Sequence, residues 1–142
     1  MSLVRKALRV GGIAWVLNAP WEILHGTLYQ GFAFDLAHMA WCVQASVIDA
    51  LYTTLLFAVI AGIKRNRAWM AAPSRGDLGA IALSGVVVAL LIEYWALGTE
   101  RWVYTVSMPV LPGLRVGLSP VVQLVILPLL TFWIMRRWER GR

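Results

Sequence analysis

The stretch VVVALLIEYWAL, residues 86–97, is apolar up to a glutamate at position 93 and is largely apolar again after it. Its apolar residues follow one another without the alternation of a membrane-spanning strand, so the stretch predicts a helix. The whole chain is similar, since 60% of its 142 residues are hydrophobic and its mean hydropathy is +0.70. A charge in the middle of a bilayer costs about 2.5–3.5 kcal/mol or more. Glu93 therefore predicts a membrane-spanning helix that contains a polar group with a function.

Four apolar stretches are near the ~20 residues that a helix needs to cross a bilayer. They lie at residues 10–29, 36–63, 78–97 and 116–135. The expected fold class is therefore all-α, an integral membrane four-helix antiparallel bundle. We expect a single transmembrane domain over residues 1–142, with a long outer loop at residues 98–115.

The basic residues predict the orientation of the bundle. Of the 13 lysines and arginines, all except Arg101 and Arg115 lie before the first apolar stretch, between the second and third, or after the fourth. An even number of spans places these three groups on one side, and positive charge stays cytoplasmic. Both termini are therefore expected in the cytoplasm of a multi-pass protein of the bacterial inner membrane. Attraction to anionic lipid explains the net charge of +6, so nucleic acid is not an expected partner.

Two features of the chain limit other interpretations. Cys42 is the single cysteine, which excludes an internal disulfide and a cysteine-rich metal site. The basic and then apolar order of residues 1–17 is that of a signal peptide, but no cleavage site of small residues follows it. We therefore expect an uncleaved first helix.

The eight tryptophans divide by depth. Five lie near the predicted span ends, where interfacial aromatic residues are found: Trp41, Trp69, Trp102, Trp133 and Trp138. The others, Trp15, Trp21 and Trp95, are deeper, where packing is a more common role than lining a pocket for an unsaturated ligand. The aromatic residues of the long outer loop predict either a cover over the bundle or an anchor in the membrane interface.

A polar stripe runs along one side of each predicted helix. On the first helix the stripe follows i, i+4, i+7 and i+11, which is the period of one helix face. The stripes comprise Asn18, Glu22, His25 and Tyr29 on the first helix, Asp49 on the second, Glu93 on the third and Gln123 on the fourth. All these residues fall in the outer half of the bundle, and the inner half is nearly all apolar. The pattern predicts a closed pocket rather than a channel.

The carboxyl groups and the histidine predict acid–base chemistry. Burial and crowding of like charges both favour the neutral form of a carboxyl group, which is then a proton donor. We expect Glu22 to be the donor, His25 to be its partner or the returning base, and Asp49 and Glu93 to stabilise developing positive charge. The residues expected to contact the substrate are Asn18, Trp21, Tyr29, Trp95, Trp102 and Gln123. No cofactor is expected, and an apolar pocket of this kind suits an isomerase or cyclase of a lipophilic substrate.

The segment Asn18-Ala19-Pro20-Trp21-Glu22 resembles the Asn-x-x-Trp-Glu pattern in a membrane helix of the membrane-integral terpene cyclases of the meroterpenoid type. In that family a membrane glutamate and an aspartate are implicated in protonating an epoxide or alkene. The resemblance implies that Glu22 corresponds to the glutamate, that Asp49 is a looser candidate for the aspartate, and that the substrate is isoprenoid-like.

Three other interpretations stay open. Glu22 and His25 have the Glu-x-x-His spacing of di-metal carboxylate bundles, so with Asp49 and Glu93 they could form a metal-binding or transport site. The chain could instead be a non-catalytic subunit or assembly factor, whose polar groups meet a partner helix. The same groups could also simply hold the bundle together. Membrane lipid and a lipophilic small molecule are the expected partners, and self-association is left open.

Overall fold

The structure, a computed structural model, describes residues 2–140. In this part of the chain it contains four long α-helices, one 3-10 turn and no extended strand. The helices are α1 (Leu3–Gly26), α2 (Leu36–Ile63), α3 (Arg75–Gly98) and α4 (Leu118–Arg140), and the 3-10 turn is Trp69–Ala71. The prediction of an all-α fold with four long helices is confirmed.

The four helices differ in how apolar they are. Within residues 2–140, three of them, α2, α3 and α4, are long and apolar enough to cross a membrane. α1 is as long as α3, but it begins at Leu3 instead of residue 10 and ends at Gly26 instead of residue 29. The earlier start brings Arg5, Lys6 and Arg9 into the helix, and these residues lower its hydropathy together with Asn18, Glu22 and His25.

Side-chain caps set the starts of three helices. Ser2 accepts a backbone N–H from the first turn of α1 at 3.3 Å, and Asp35 accepts the His38 N–H of α2 at 2.9 Å. Ser74 and Asp77 form a reciprocal capping box at α3, with backbone-to-side-chain distances of 3.1 and 2.7 Å. These bonds satisfy N–H groups that have no partner within a helix. Because of its cap, α3 begins at Arg75, slightly before the predicted residue 78.

The helices form an up-and-down arrangement in which α1 packs against α2 and α4, and α4 packs against α3. The backbones of α3 and α4 are very close at Gly85, where an added Cβ would lie 2.2 Å from the Leu124 carbonyl oxygen. The start of α1 meets the end of α4 through a 2.8 Å ion pair between Lys6 and Glu139. We call this the basic end, and we call the opposite end, where α2 and α4 begin, the loop end.

The basic end is filled with apolar side chains. Trp69 and Met70 of the 3-10 turn are 2% and 1% exposed, and Trp69 stacks with Phe57 of α2 and meets Phe132 of α4 edge to face. The Trp69 indole N–H donates to the Phe57 carbonyl oxygen at 3.3 Å. The expectation that Trp69 is an interfacial residue was therefore wrong, because the turn carries its side chain into the core.

The loop end is covered by the long loop between α3 and α4. Tyr104 in this loop forms an antiparallel bridge with Tyr29, which follows α1. Two backbone bonds hold the bridge, from Gln30 N–H to Val103 at 2.8 Å and from Thr105 N–H to the Leu28 carbonyl at 2.9 Å. Of the two roles considered for this loop, the geometry is that of a cover.

Candidate functional site

The polar stripe of α1 faces the interior of the bundle. Asn18 is 1% exposed, and its amide donates to the Ala14 carbonyl oxygen at 2.9 Å. Glu22, one turn later, lies 3.2 Å from Nε2 of His25. Because these residues follow the helical period, α1 presents them all toward α2 and α4.

Gln123 of α4 connects the polar groups of three helices. Its side-chain nitrogen lies 2.8 Å from Oδ2 of Asp49, 2.5 Å from Oε1 of Glu22 and 3.0 Å from Oδ1 of Asn18. An amide NH₂ has two hydrogens and therefore cannot serve three acceptors fully at one time. Gln123 thereby holds α1, α2 and α4 together around two carboxyl groups, and its expected contact with a substrate stays a prediction.

Glu22 and Asp49 lie close together, because one oxygen of each is within hydrogen-bonding distance of the same Gln123 nitrogen. Two ionised carboxylates would repel each other at this separation, which favours a proton on one of them. Glu22 has hydrogen-bonding contacts with both His25 and Gln123, whereas the side chain of Asp49 accepts from Gln123. The richer set of donors favours the anion at Glu22 and the proton at Asp49. The contacts thus favour an assignment different from the expected one, in which Glu22 carried the proton.

His25 links this carboxyl pair to α4. Its Nε2 faces Glu22, and its Nδ1 lies 3.3 Å from the hydroxyl of Ser119. A neutral imidazole donates from one nitrogen and accepts at the other, so His25 can relay a proton between the two groups. Ser119 was not among the predicted site residues, although it lies one turn before Gln123 on the same helix.

Glu93 forms a second cluster under the loop that covers the bundle. The carboxyl group is 2% exposed and accepts the Trp102 indole N–H at 3.3 Å and the Tyr29 hydroxyl at 3.4 Å. The Tyr104 hydroxyl also donates to it and itself accepts the Gly117 N–H at 2.9 Å. Sequence reasoning missed Tyr104 because nothing local in the loop indicates which helix its side chain meets.

The phenols of this cluster are held as neutral donors. Burial raises the pKa of Tyr29 and of Tyr104 above the ordinary value, and the nearby Glu93 carboxyl raises both further. Hydrogen bonds from neutral donors offset part of the cost of burying a carboxylate. The ring of Tyr29 meets that of His25 edge to face, with centroids 5.4 Å apart, so the Glu93 cluster adjoins the Glu22–Asp49 pair.

A cavity of ≈ 760 Å³ joins the two clusters. Its wall is mainly apolar, and it falls within the ~300–1,000 Å³ range of small-molecule sites. Asn18 lies behind Gln123, and Trp21 is half-buried on α1 away from the cavity. All other predicted site residues line it: Glu22, His25, Tyr29, Asp49, Glu93, Trp95, Trp102 and Gln123.

The metal alternative has less geometric support. Among residues 2–140, no group of three or more His, Cys, Asp or Glu side chains is placed to hold a metal ion. Glu93 is directed toward the tyrosines and Trp102, while Glu22 and Asp49 face Gln123. The four residues proposed as ligands are thus divided between two clusters.

The residues that line the cavity are the basis for inferring what the chain does. The cavity places a carboxyl pair, a histidine and a third carboxyl group on one mainly apolar wall. No known protein family, curated protein or solved structure matches the chain.

Proposed function

We propose that the chain is a multi-pass protein of a bacterial inner membrane, with its basic end and both termini in the cytoplasm. The distribution of basic residues supports this orientation. It requires α1 to cross the membrane beside the three helices that are long and apolar enough to span it. The cover at the loop end would then lie near the outer surface. The cavity would occupy the outer half of the bundle.

We further propose that the cavity is an acid–base site that acts on a lipophilic molecule, as an isomerase or cyclase does. The observation that carries this proposal is the pair of carboxyl groups, Glu22 and Asp49, bridged by the Gln123 amide on the wall of a mainly apolar cavity. Two carboxyl groups that share one proton can give up that proton and take one back. If these groups only held the helices together, the neutral amides of Asn or Gln would be sufficient.

The proposed reaction moves one proton in and one out. Asp49 donates its proton to a substrate carbon, such as an alkene carbon, and becomes a carboxylate. Glu93 stabilises the positive charge that develops on the substrate. His25, or the Glu22 carboxylate beside it, then removes a proton from a neighbouring carbon. The resemblance around Trp21 and Glu22 favours an isoprenoid as the substrate class.

Deuterium transfer tests this proposal for any substrate that the membrane contains. The purified protein is incubated in D₂O with an organic extract of the source cells' membranes, and mass spectrometry detects new C–D bonds. General acids contribute roughly 10²–10⁴-fold to rates, so Asp49→Asn and Glu22→Gln should lose at least about 100-fold of the transfer. Glu100→Gln makes the same chemical change at an exposed turn and should keep it. Full transfer by both site variants would show that the carboxyl groups are structural.

One observation favours the alternative of a non-catalytic subunit. A shallow groove of ≈ 430 Å³ on the outer face of α1 and α2 is lined by small residues such as Gly11, Gly12 and Ala50, between larger apolar ones such as Leu8 and Trp15. Small residues allow a partner helix to approach closely in a membrane. Absence of deuterium transfer, together with a stoichiometric protein partner that is lost on Gly12→Leu, would favour this alternative.

A further inference from the structure

The cavity lies between two helices that do not pack closely. Within residues 2–140, the closely packed pairs of long helices are α1–α2, α1–α4 and α3–α4. α2 and α3 both line the cavity, which separates them near the loop end. The lining residues of α2 run from His38 to Asp49, about 16 Å of helix at 1.5 Å per residue. We call this opening the α2–α3 cleft.

The cleft is bounded at both ends. Toward the basic end, the Tyr52 hydroxyl of α2 lies 3.0 Å from the Ser84 hydroxyl of α3, and the Tyr52 side chain packs against the apolar cluster around Ala89. Toward the loop end, Trp102 lines the cavity and donates to Glu93 from the covering loop. The open direction is therefore sideways, between the two helices.

Large apolar side chains form the edges of the cleft and are exposed. On α2, Trp41 and Ile48 are 63% and 55% exposed, and on α3, Ile92 and Trp95 are 38% and 56% exposed. All four also line the cavity. In a bilayer these edges would contact acyl chains, so the same surfaces face both the lipid and the site.

We propose that the α2–α3 cleft is a lateral entrance by which a single-chain lipid with an uncharged end reaches the cavity from the bilayer. This inference rests on the proposed function only for the chemistry at Glu22 and Asp49. The chain of the lipid lies in the cleft between Ile48 and Ile92, and its end group reaches Glu22 and Asp49. A ligand from water would instead have to displace the covering loop.

The charges of the cavity select the end group. Three carboxyl groups, Glu22, Asp49 and Glu93, lie on its wall. An anionic end such as a phosphate or carboxylate would be repelled there in a medium of low dielectric constant. The guanidinium of Arg101 also lines the cavity, but it lies over the Trp95 ring, 5.6 Å from its centroid, at the exposed edge. An alcohol, alkene or epoxide end therefore fits better than an anionic one.

Photolabelling tests the entrance. The full-length protein in phosphatidylcholine vesicles is irradiated with a farnesol analogue that carries a diazirine on its chain, and the labelled residues are mapped by mass spectrometry. The label should fall on cavity-lining residues of α2 and α3. Ile48→Trp and Ile92→Trp each fill the cleft from a different helix and should lower labelling by at least about tenfold, which corresponds to 1.4 kcal/mol.

Ile126→Trp is the matched control, because Ile126 is a similarly exposed isoleucine, on α4, away from the cleft. It should label like the wild type. Equal labelling of the two cleft variants and the wild type would overturn the entrance. Equal labelling by a probe of the same chain that ends in a carboxylate would overturn the inferred end group.

The two proposals can fail separately. Labelling in the cleft without deuterium transfer would leave the entrance standing and reject the acid–base reaction. Deuterium transfer with labelling outside the cleft would support the acid–base reaction and reject the entrance.

Discussion

Replacing Gly85 by alanine should destabilise the bundle although alanine is the better helix former. The added Cβ would lie 2.2 Å from the backbone oxygen of Leu124 and 2.7 Å from its carbon. Backbone atoms of a helix cannot rotate away as a flexible side chain can. α3 and α4 would therefore have to move apart by roughly 1 Å, since carbon contacts are most favourable at about 3.5–4.0 Å.

The size of the effect follows from this separation. A gap of 0.5–1 Å forfeits about a quarter to a half of a contact's dispersion energy, and overpacking costs about 1–3 kcal/mol. Gly79→Ala is a matched control in the same helix, because a Cβ at Gly79 meets no atom within 4 Å. That change should gain about 0.8–1.0 kcal/mol of helix propensity. Gly85→Ala gains the same propensity, so the two variants should differ by the overpacking cost alone, about 1–3 kcal/mol, or roughly 2–12 °C in melting temperature.

Thermal unfolding in detergent, followed by tryptophan fluorescence, measures this difference. Both variants carry the same chemical change, so a general effect of alanine on helix stability would raise both melting temperatures. A Gly85→Ala protein that melts at or above the temperature of Gly79→Ala would refute the close contact between α3 and α4.

Two further predictions concern the cover and the orientation. Tyr104→Phe removes a donor to Glu93 and the acceptor of a backbone N–H, so it should cost about 1–3 kcal/mol of unfolding free energy. Tyr94→Phe, at an exposed position, should cost less, and equal losses in thermal unfolding would contradict the role given to the Tyr104 hydroxyl. In a background without the native cysteine, Asn66→Cys and Val106→Cys should react with an impermeant maleimide from opposite sides of sealed vesicles. Reaction of both from one side would contradict the proposed orientation.

The helices could largely be predicted from the apolar stretches, because length and hydropathy are local properties. α2 has the predicted bounds, residues 36–63. α1 differs because its basic residues suggested a segment outside the helix, whereas Lys6 is buried in an ion pair with Glu139. The chain also leaves the helix after Gly26, where an added Cβ would lie 2.6 Å from the Phe32 ring. The partner of Lys6, Glu139, is far away in the chain, and Phe32 lies outside the predicted first helix. The apolar stretch alone therefore could not indicate either end of α1.

The candidate site could be predicted as a set of residues but not as a set of contacts. The period of 3.6 placed Glu22, His25 and Asn18 on one face of α1, and depth matched them with Asp49 and Gln123. Periodicity does not determine which oxygen meets which nitrogen, so the Gln123 amide between two carboxyl groups was not foreseen. The antiparallel bridge between Tyr29 and Tyr104 joins residues far apart in the chain, and no local pattern indicates such a pairing.

The Trp69–Met70 filling of the basic end has a consequence for the energetics of the membrane. A residue that takes up and releases protons lets protons cross an energised membrane if it can exchange them with both sides. Each charge that crosses dissipates about 2.3 kcal/mol per 100 mV of membrane potential. Trp69 and Met70 are almost fully buried, so under the proposed function protons would be exchanged with one compartment alone. A protein with that function would carry out repeated proton transfers without discharging the gradient across its membrane.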